Sequence, residues 1–535
     1  MNFKNAISLT FFLLCSQIIF AQSDTTSTPK NWHTLDLQAN GYFGVSLDKA
    51  YQLVKNKKST PVIVAVIDTG IDTAQLDLKN ILWVNPKEKP GNGIDDDKNG
   101  YIDDVHGWNF LGARNGTPII NEASEEIRMY PILQQKFSIA TNQKSNPKEF
   151  KNYTKLKALR DTTINRAKKE TENLKPFANG LLASSYFIYR DLKLDTAKGF
   201  ALADIETATV TNDTTQSAKA FWVNVLSRDP SANSQAVLKE INEYLEKLER
   251  DINPDLNIRK RIMDDDWQKN KNKYYGNNLL KASNASHGTG VSGLIGANRN
   301  NSYGIQGIAD NVKIMMLRAV PDGDEYDKDI ANAIIYAVKN GAKIINMSFG
   351  KKISPQKKWV DAAFKYAAKK NVLLVQAAGN EGQSLDSVVK YPNDTFINGS
   401  ASDAPNVINV GASAANNDEH LAANFSNYSK TEVDVFAPGE KVTSINLDKE
   451  FLTASGTSFA SPITAGVAAL LLSYYPYLSA IQLKQIILKS SIKMPGLKVI
   501  KPGTATDKVL FSDLSKTGGV VNAYEALKMA EETQK

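Results

Sequence analysis

Apolar residues along this chain gather in two kinds of pattern. Short continuous runs rich in β-branched residues occur at 62–67, 313–320, 342–347 and 372–376. Runs of this length, bounded by polar turns, predict strands buried on both faces. Between them the apolar positions take a helical period. Ile330, Ile334 and Val338 share one face over 330–338, and a second helix is predicted around 360–370. Strand–helix–strand order with short connections predicts an α/β fold with a mostly parallel central sheet and helices on both faces. Such sheets place their sites at the carboxyl ends of strands, where the polar clusters of this chain fall.

Residues 119–280 break the alternation. Lys- and Glu-rich stretches replace the apolar runs, as in SQAVLKEINEYLEKLERDI (234–252), where Val237, Ile241, Leu245 and Leu248 hold helical spacing. This predicts a mainly helical insertion over 119–280, within a discontinuous domain made of 56–118 and 281–535. At the amino end Lys4 precedes an apolar stretch from Ile7 to Phe20, and Phe20-Ala21-Gln22 offers a small residue for cleavage. Residues 1–21 are therefore predicted to be an export signal, too short for a confident membrane span, and no stable span is expected after its removal. Residues 22–55 are expected to form an amino-terminal leader, flexible over the Ser-, Thr- and Pro-rich 23–31.

Composition sharpens this picture. Hydrophobic residues make up 42% and charged residues 23%, ordinary for a soluble globular protein. The 64 Lys and Arg against 57 Asp and Glu leave a net +7 spread over 535 residues, so no nucleic-acid partner is expected. The single cysteine, Cys15, lies inside the export signal. A secreted, periplasmic or cell-envelope mature chain would then hold neither a disulfide nor a cysteine nucleophile, and would need another staple.

Four segments carry candidate chemistry: VIVAVIDTGID (62–72), SHGTGVSG (286–293), VQAAGNEG (375–382) and SGTSFASP (455–462). A serine hydroxyl is a weak nucleophile until an adjacent base takes its proton. Histidine titrates near working pH and suits that role, and a buried carboxylate fixes its tautomer. SGTSFASP introduces the apolar run ITAGVAALLLSYY, which suits a buried helix with Ser458 at its amino end, where the Ser458 N–H can meet a developing oxyanion. Asn380, after Gly379, offers a side-chain amide for the same charge. Taken singly, Asp68 reads as a strand-end cap and Ser458 as an N-cap. Their conjunction points to catalysis.

On these residues the chain resembles the subtilisin-like serine proteases, the subtilases. The segments match that family's Asp, His, oxyanion-Asn and Ser motifs in its chain order. Further matches are GIQGIAD (304–310), AKIINMSFG (342–350), VINVGA (407–412), VFAPGE (435–440) and GGVVNAYEA (518–526). The resemblance implies a serine endopeptidase in which Asp68 orients His287, His287 is the general base, Ser458 the nucleophile and Asn380 the oxyanion donor. It also implies that Ser348-Phe349-Gly350 pairs with an extended protein or peptide substrate. Ala377-Ala378-Gly379 would form one wall of the main specificity pocket. Lys390 stands near a position the family often keeps as glycine; it narrows that pocket, favours an acidic residue before the cut, or simply faces solvent. Gly290 and Ser292 replace the family's usual His and Ala, and Phe459 its methionine.

GIDDDKNGYIDD (93–104) has the logic of a calcium loop. Asp95, Asp97 and Asn99 alternate, Gly100 permits a sharp turn, Tyr101 can offer its carbonyl and Asp103 follows. The glutamate that closes an EF-hand is replaced by His106, so this is not an EF-hand. Carboxylates so close repel one another unless a cation neutralises them, which makes calcium the expected structural cofactor and a solvated acidic turn the alternative. The resemblance adds a second calcium candidate, Asp77 with the loop from Asn301 to Ile305.

Asp68 and His287 lie 219 residues apart, far more than the core of that family needs. The insertion is either a permanent module or a segment that screens the cleft until removed. Two rival functions are a catalytically silent scaffold and an esterase. No Gly-x-Ser-x-Gly elbow surrounds Ser458, and the Asp-first order opposes the esterase.

Overall fold

The structure is a computed structural model that describes residues 28–228, 232–301, 303–397 and 404–533; the export signal expected over 1–21 lies outside them. The described residues divide into two compact units, one of 126–256 and one formed by the chain on either side of it.

The larger unit is built on a parallel sheet. Its strands are β1 (Val62–Asp68), β2 (Gly107–Asn109), β3 (Val312–Arg318), β4 (Ile344–Met347), β5 (Leu373–Ala377), β6 (Val407–Ser413) and β7 (Val435–Pro438). They lie in the order β7-β6-β5-β4-β1-β3-β2, all parallel. Two short strands, Gly519–Val520 and Ile492–Lys493, extend the β7 edge. Side chains alternate across β1 as the pleat requires. Val64 and Val66 join the helices Ser286–Gly296 and Thr457–Tyr474 in one core, whereas Ala65 and Ile67 join Asp327–Lys339 and Lys357–Lys369 in the other. Both faces are covered, which is why the strands read as unbroken apolar runs. The helix Thr457–Tyr474 is apolar and long enough to cross a bilayer, yet 89% of it is buried inside the protein.

The register levels the strand ends. Asp68 lies beside Arg318, Ile67 beside Met347, and Met347 beside Gln376. Residues 68, 348 and 378 therefore emerge along one carboxyl edge, where β1 separates the two directions of sheet growth.

Two sequence expectations change. The leader expected over 22–55 is, from Trp32 onward, part of the core: Trp32, Val45, Leu47, Ala50 and Val54 are buried in the β1 cluster. The helix Leu47–Val54 turns Leu47, Ala50 and Val54 inward, a helical apolar face that the polar composition upstream obscured. The insertion is also narrower than 119–280. Ile119 donates to the Leu111 carbonyl at 2.6 Å. Arg259 makes a two-pronged contact with Asp329 (2.6 and 2.8 Å) and bonds Asp265 at 2.7 Å, while Lys328 meets Asp265 at 2.5 Å. These charges are buried and paired, so 257–280 belongs with the sheet although its sequence reads as a solvated charged stretch.

The smaller unit is helical. Pro147–Leu192, Asp213–Leu226 and Ser234–Ile252 pack around Leu181, Ile188, Phe200, Trp222 and Leu226. Asn212 and Asn233 cap the latter two helices by accepting from Thr214 and Ala236 N–H groups at 2.9 Å each.

Candidate active site

Asp68 ends β1 with 1% of its side chain exposed, and His287 sits in the first turn of the helix Ser286–Gly296. His287 Nδ1 lies 2.7 Å from Asp68 Oδ1, which also accepts the Thr69 N–H at 2.7 Å. A carboxylate only accepts, so Nδ1 carries the shared proton and Nε2 is left as the basic nitrogen. The helix comes this close because residue 288 is glycine: a Cβ there would collide with the Gly70 carbonyl. Gly288 N–H then donates to Thr69 Oγ1 at 3.2 Å. Burial pulls the imidazolium down, but the charge and hydrogen bond of Asp68 outweigh it, and His287 is held above its ordinary value. Asp68 Oδ2 is buried with no donor among the described residues.

Ser458 lies in the first turn of Thr457–Tyr474, behind an extended Gly456. Asn380 follows β5, and its side-chain carbonyl accepts from both the N–H (2.8 Å) and the hydroxyl (2.9 Å) of Thr457. Thr457 Oγ1 in turn accepts the Gly379 N–H at 3.0 Å. With its oxygen so engaged, Asn380 presents its Nδ2 donor outward. A methyl built on Gly456 would stand 2.8 Å from Ser458 Oγ and 3.4 Å from Asn380 Nδ2, so the hydroxyl and the amide flank one point.

Ser348 is nearly buried and donates its hydroxyl to the Ser458 carbonyl at 2.9 Å. Asn346 of β4 donates to Ser348 Oγ at 2.9 Å and accepts from Ser461 at 2.8 Å, fastening the strand end to the serine helix. Phe349 and Gly350 follow Ser348 beyond β4, and Ala378 and Gly379 follow Ala377, the last residue of β5. Phe459 packs edge-on to His287, ring centroids 6.1 Å apart, and Ser292 donates to the Gly288 carbonyl at 2.7 Å.

Sequence reasoning missed Thr457, although it stands inside SGTSFASP, and it missed Arg318. That guanidinium is fully buried and donates to the carbonyls of Thr69 (2.9 Å) and Ile119 (2.6 Å) and to the side-chain oxygens of Asn109 (3.0 Å) and Asn284 (3.4 Å). Burial lowers it to about 10, with the charge of Asp322 opposing.

The acidic loop is rearranged relative to expectation. Asp95 and Asp97 come together with Glu88, their ligand atoms within 4.8 Å of one another. Glu88 was not foreseen, because only folding brings it to the loop. Glu88 Oε1 accepts the Asp97 N–H at 3.2 Å, while Oε2 is buried and finds no donor among the described residues. Asp103 turns away: its carboxylate accepts the N–H groups of Gly91, Asn92 and Gly93 (2.8–3.2 Å) from a left-handed backbone, φ 52°. Asn99 donates to Asp104 at 2.9 Å, and the Tyr101 ring packs among Trp108, Phe110, Tyr274 and Tyr336. At the second candidate, Asp77 meets Asn301 Nδ2 (2.6 Å) and the Ile305 N–H (2.9 Å). Protein donors thus serve both Asp77 oxygens, as they also do those of Asp95 and Asp97.

Comparison with known proteins places the chain among known families. The model of the subtilase family matches residues 59–522. The thermophilic serine proteinase of Bacillus sp. (strain AK1) is 40% identical over 212 residues, covering 39% of this chain and 48% of that protein. The minor extracellular protease Epr of Bacillus subtilis (strain 168) is 30% identical, covering 46% and 36%. Thermitase of Thermoactinomyces vulgaris is 32% identical, covering 45% and 75%. The chain spans about half or less of the length of the first two relatives.

Proposed function

This chain belongs to the subtilase family, and from that premise we propose that it is an exported serine endopeptidase working through an acyl-enzyme on Ser458. The observation that carries the reading is the Asp68–His287 contact at 2.7 Å on the same carboxyl edge as Ser458 and Asn380.

His287 Nε2 takes the Ser458 proton as Oγ attacks the scissile carbonyl. Asp68 holds the ring in the Nδ1–H tautomer and stabilises the imidazolium that forms. Asn380 Nδ2 and the Ser458 N–H, at a helix amino end, receive the oxyanion. His287 then returns the proton to the leaving amine, and water attacks the acyl-enzyme with His287 again as base. The substrate lies extended along Ser348-Phe349-Gly350, with backbone pairing supplying affinity and pockets supplying selectivity. The apolar segment 7–20 and the extracellular designation of one relative support export.

We also propose a structural calcium at Glu88, Asp95 and Asp97. Its support is the donor set: three carboxylates within reach of one ion, one of them with a buried, unsatisfied oxygen. Calcium would neutralise the loop and stabilise the folded chain, in which Cys15 is the sole cysteine.

The test is casein turnover by wild type and Ser458→Ala. A fall of at least about a thousandfold is expected; unchanged cleavage would overturn the assignment.

A further inference from the structure

Between the ends of β4 and β5 stands a cation with no direct ion-pair partner among the described residues. Lys390 runs between the two segments that leave β4 and β5, and its Nζ donates to the carbonyls of Phe349 (3.1 Å) and Ala377 (2.5 Å). Its stem fills space kept open by two glycines. A Cβ on Gly350 would collide with Lys390 Cε, and one on Gly379 would stand 3.1 Å from Lys390 Cδ. The backbone just beyond is fixed, since Tyr391 and Lys351 exchange N–H to carbonyl bonds at 2.9 Å in both directions. The nearby carboxylate of Glu381 is turned to Asn427 Nδ2 at 2.6 Å. No Asp or Glu oxygen lies within salt-bridge distance of Lys390 among the described residues. Two of the three ammonium donors are used, both on neutral oxygens.

From this geometry we infer that Lys390 is the specificity-determining residue of the pocket and selects peptides with Asp or Glu immediately before the scissile bond. The inference rests on the peptidase reading above. An arriving carboxylate supplies both a direct counter-charge and an acceptor for the third N–H, a charge-assisted bond. A large apolar side chain must instead seal the ammonium away from solvent with no anion, and it finds the pocket shortened by the lysine stem. Burial already pulls Lys390 down to about 8, with the charges of Glu381 and Glu325 opposing, as expected of an ammonium poorly served by its surroundings.

The experiment is a set of fluorogenic peptides identical except for Glu, Asp, Phe, Leu or Lys before the cut, assayed on the full chain. The acidic peptides should lead in kcat/KM by on the order of ten- to hundredfold. Lys390→Gly should lose that lead and gain on Phe and Leu, whereas Lys390→Arg should keep it. Inhibition of wild type by peptide aldehydes ending in Glu or Phe reads the same preference if a variant fails to fold. Phe or Leu leading, or equal rates across the set, would overturn the role of Lys390 and leave the peptidase reading intact. No cleavage of any peptide or of casein by wild type would instead sink the peptidase reading itself.

Discussion

Thr457 grips the side-chain carbonyl of Asn380 twice, through its N–H at 2.8 Å and its hydroxyl at 2.9 Å, one residue before Ser458. The proposed oxyanion donor is thus aimed by the neighbour of the proposed nucleophile. Asn380→Ala should lower kcat on the order of a hundredfold with KM little changed, the size documented for an oxyanion donor in this family. Thr457→Val should lower kcat by about tenfold, Thr457→Ser much less. Steady-state kinetics on one peptide read all three.

The Asp68–His287 pair sets the pH profile. A general base works unprotonated, and His287 is held above the ordinary imidazole value of 6.5. The acid limb of kcat/KM should therefore have its midpoint above 6.5, and Asp68→Asn should move it down while lowering the rate by roughly 10⁴-fold. Stability responds in the opposite sense. The folded chain binds this proton more tightly than the unfolded one, so the contribution of His287 is complete below 6.5 and lost as pH rises through the folded value. Imidazole titration by NMR checks the shift directly.

If the proposed calcium binds at Glu88, Asp95 and Asp97, thermal stability should depend on calcium. At about a hundredfold excess over Kd, binding adds roughly 2.7 kcal/mol, a few degrees in Tm for a chain of this size. Chelator should remove those degrees, and Glu88→Gln should make the chain insensitive to chelator. A Tm indifferent to calcium would end the assignment.

Trp32 has none of its surface exposed and lies in the β1 core. Trp32→Ala should cost about 3–5 kcal/mol, read by denaturant unfolding, and deletion of 28–54 should prevent folding. A freely removable segment would restore the leader interpretation.

Much of the architecture was legible because the information is local. Buried parallel strands announce themselves as apolar runs, and the residues at their ends follow by counting: Asp68 closing β1, Ser348 after β4, Asn380 after β5. What escaped depends on contacts between distant segments. Glu88 joins Asp95 only once the loop closes, and Asp103 leaves the cluster because a left-handed backbone points it at 91–93. The charges of 257–280 imply solvent until Asp329 and Lys328 pair with Arg259 and Asp265 inside the protein. Lys390 was noticed in sequence, but its meaning turned on which oxygens its ammonium meets.

Arg318 bears on the long detour between Asp68 and His287. The outgoing chain at Ile119 and the returning chain at Asn284 are both pinned to its guanidinium, which also holds the Thr69 carbonyl next to Asp68. Both ends of the detour are thus fixed beside the imidazole–carboxylate pair. Loop closure adds little penalty, since each doubling of length costs only about 0.6 kcal/mol. The stem at Arg318 is therefore a closed base from which a longer or shorter detour could spring at small entropic cost.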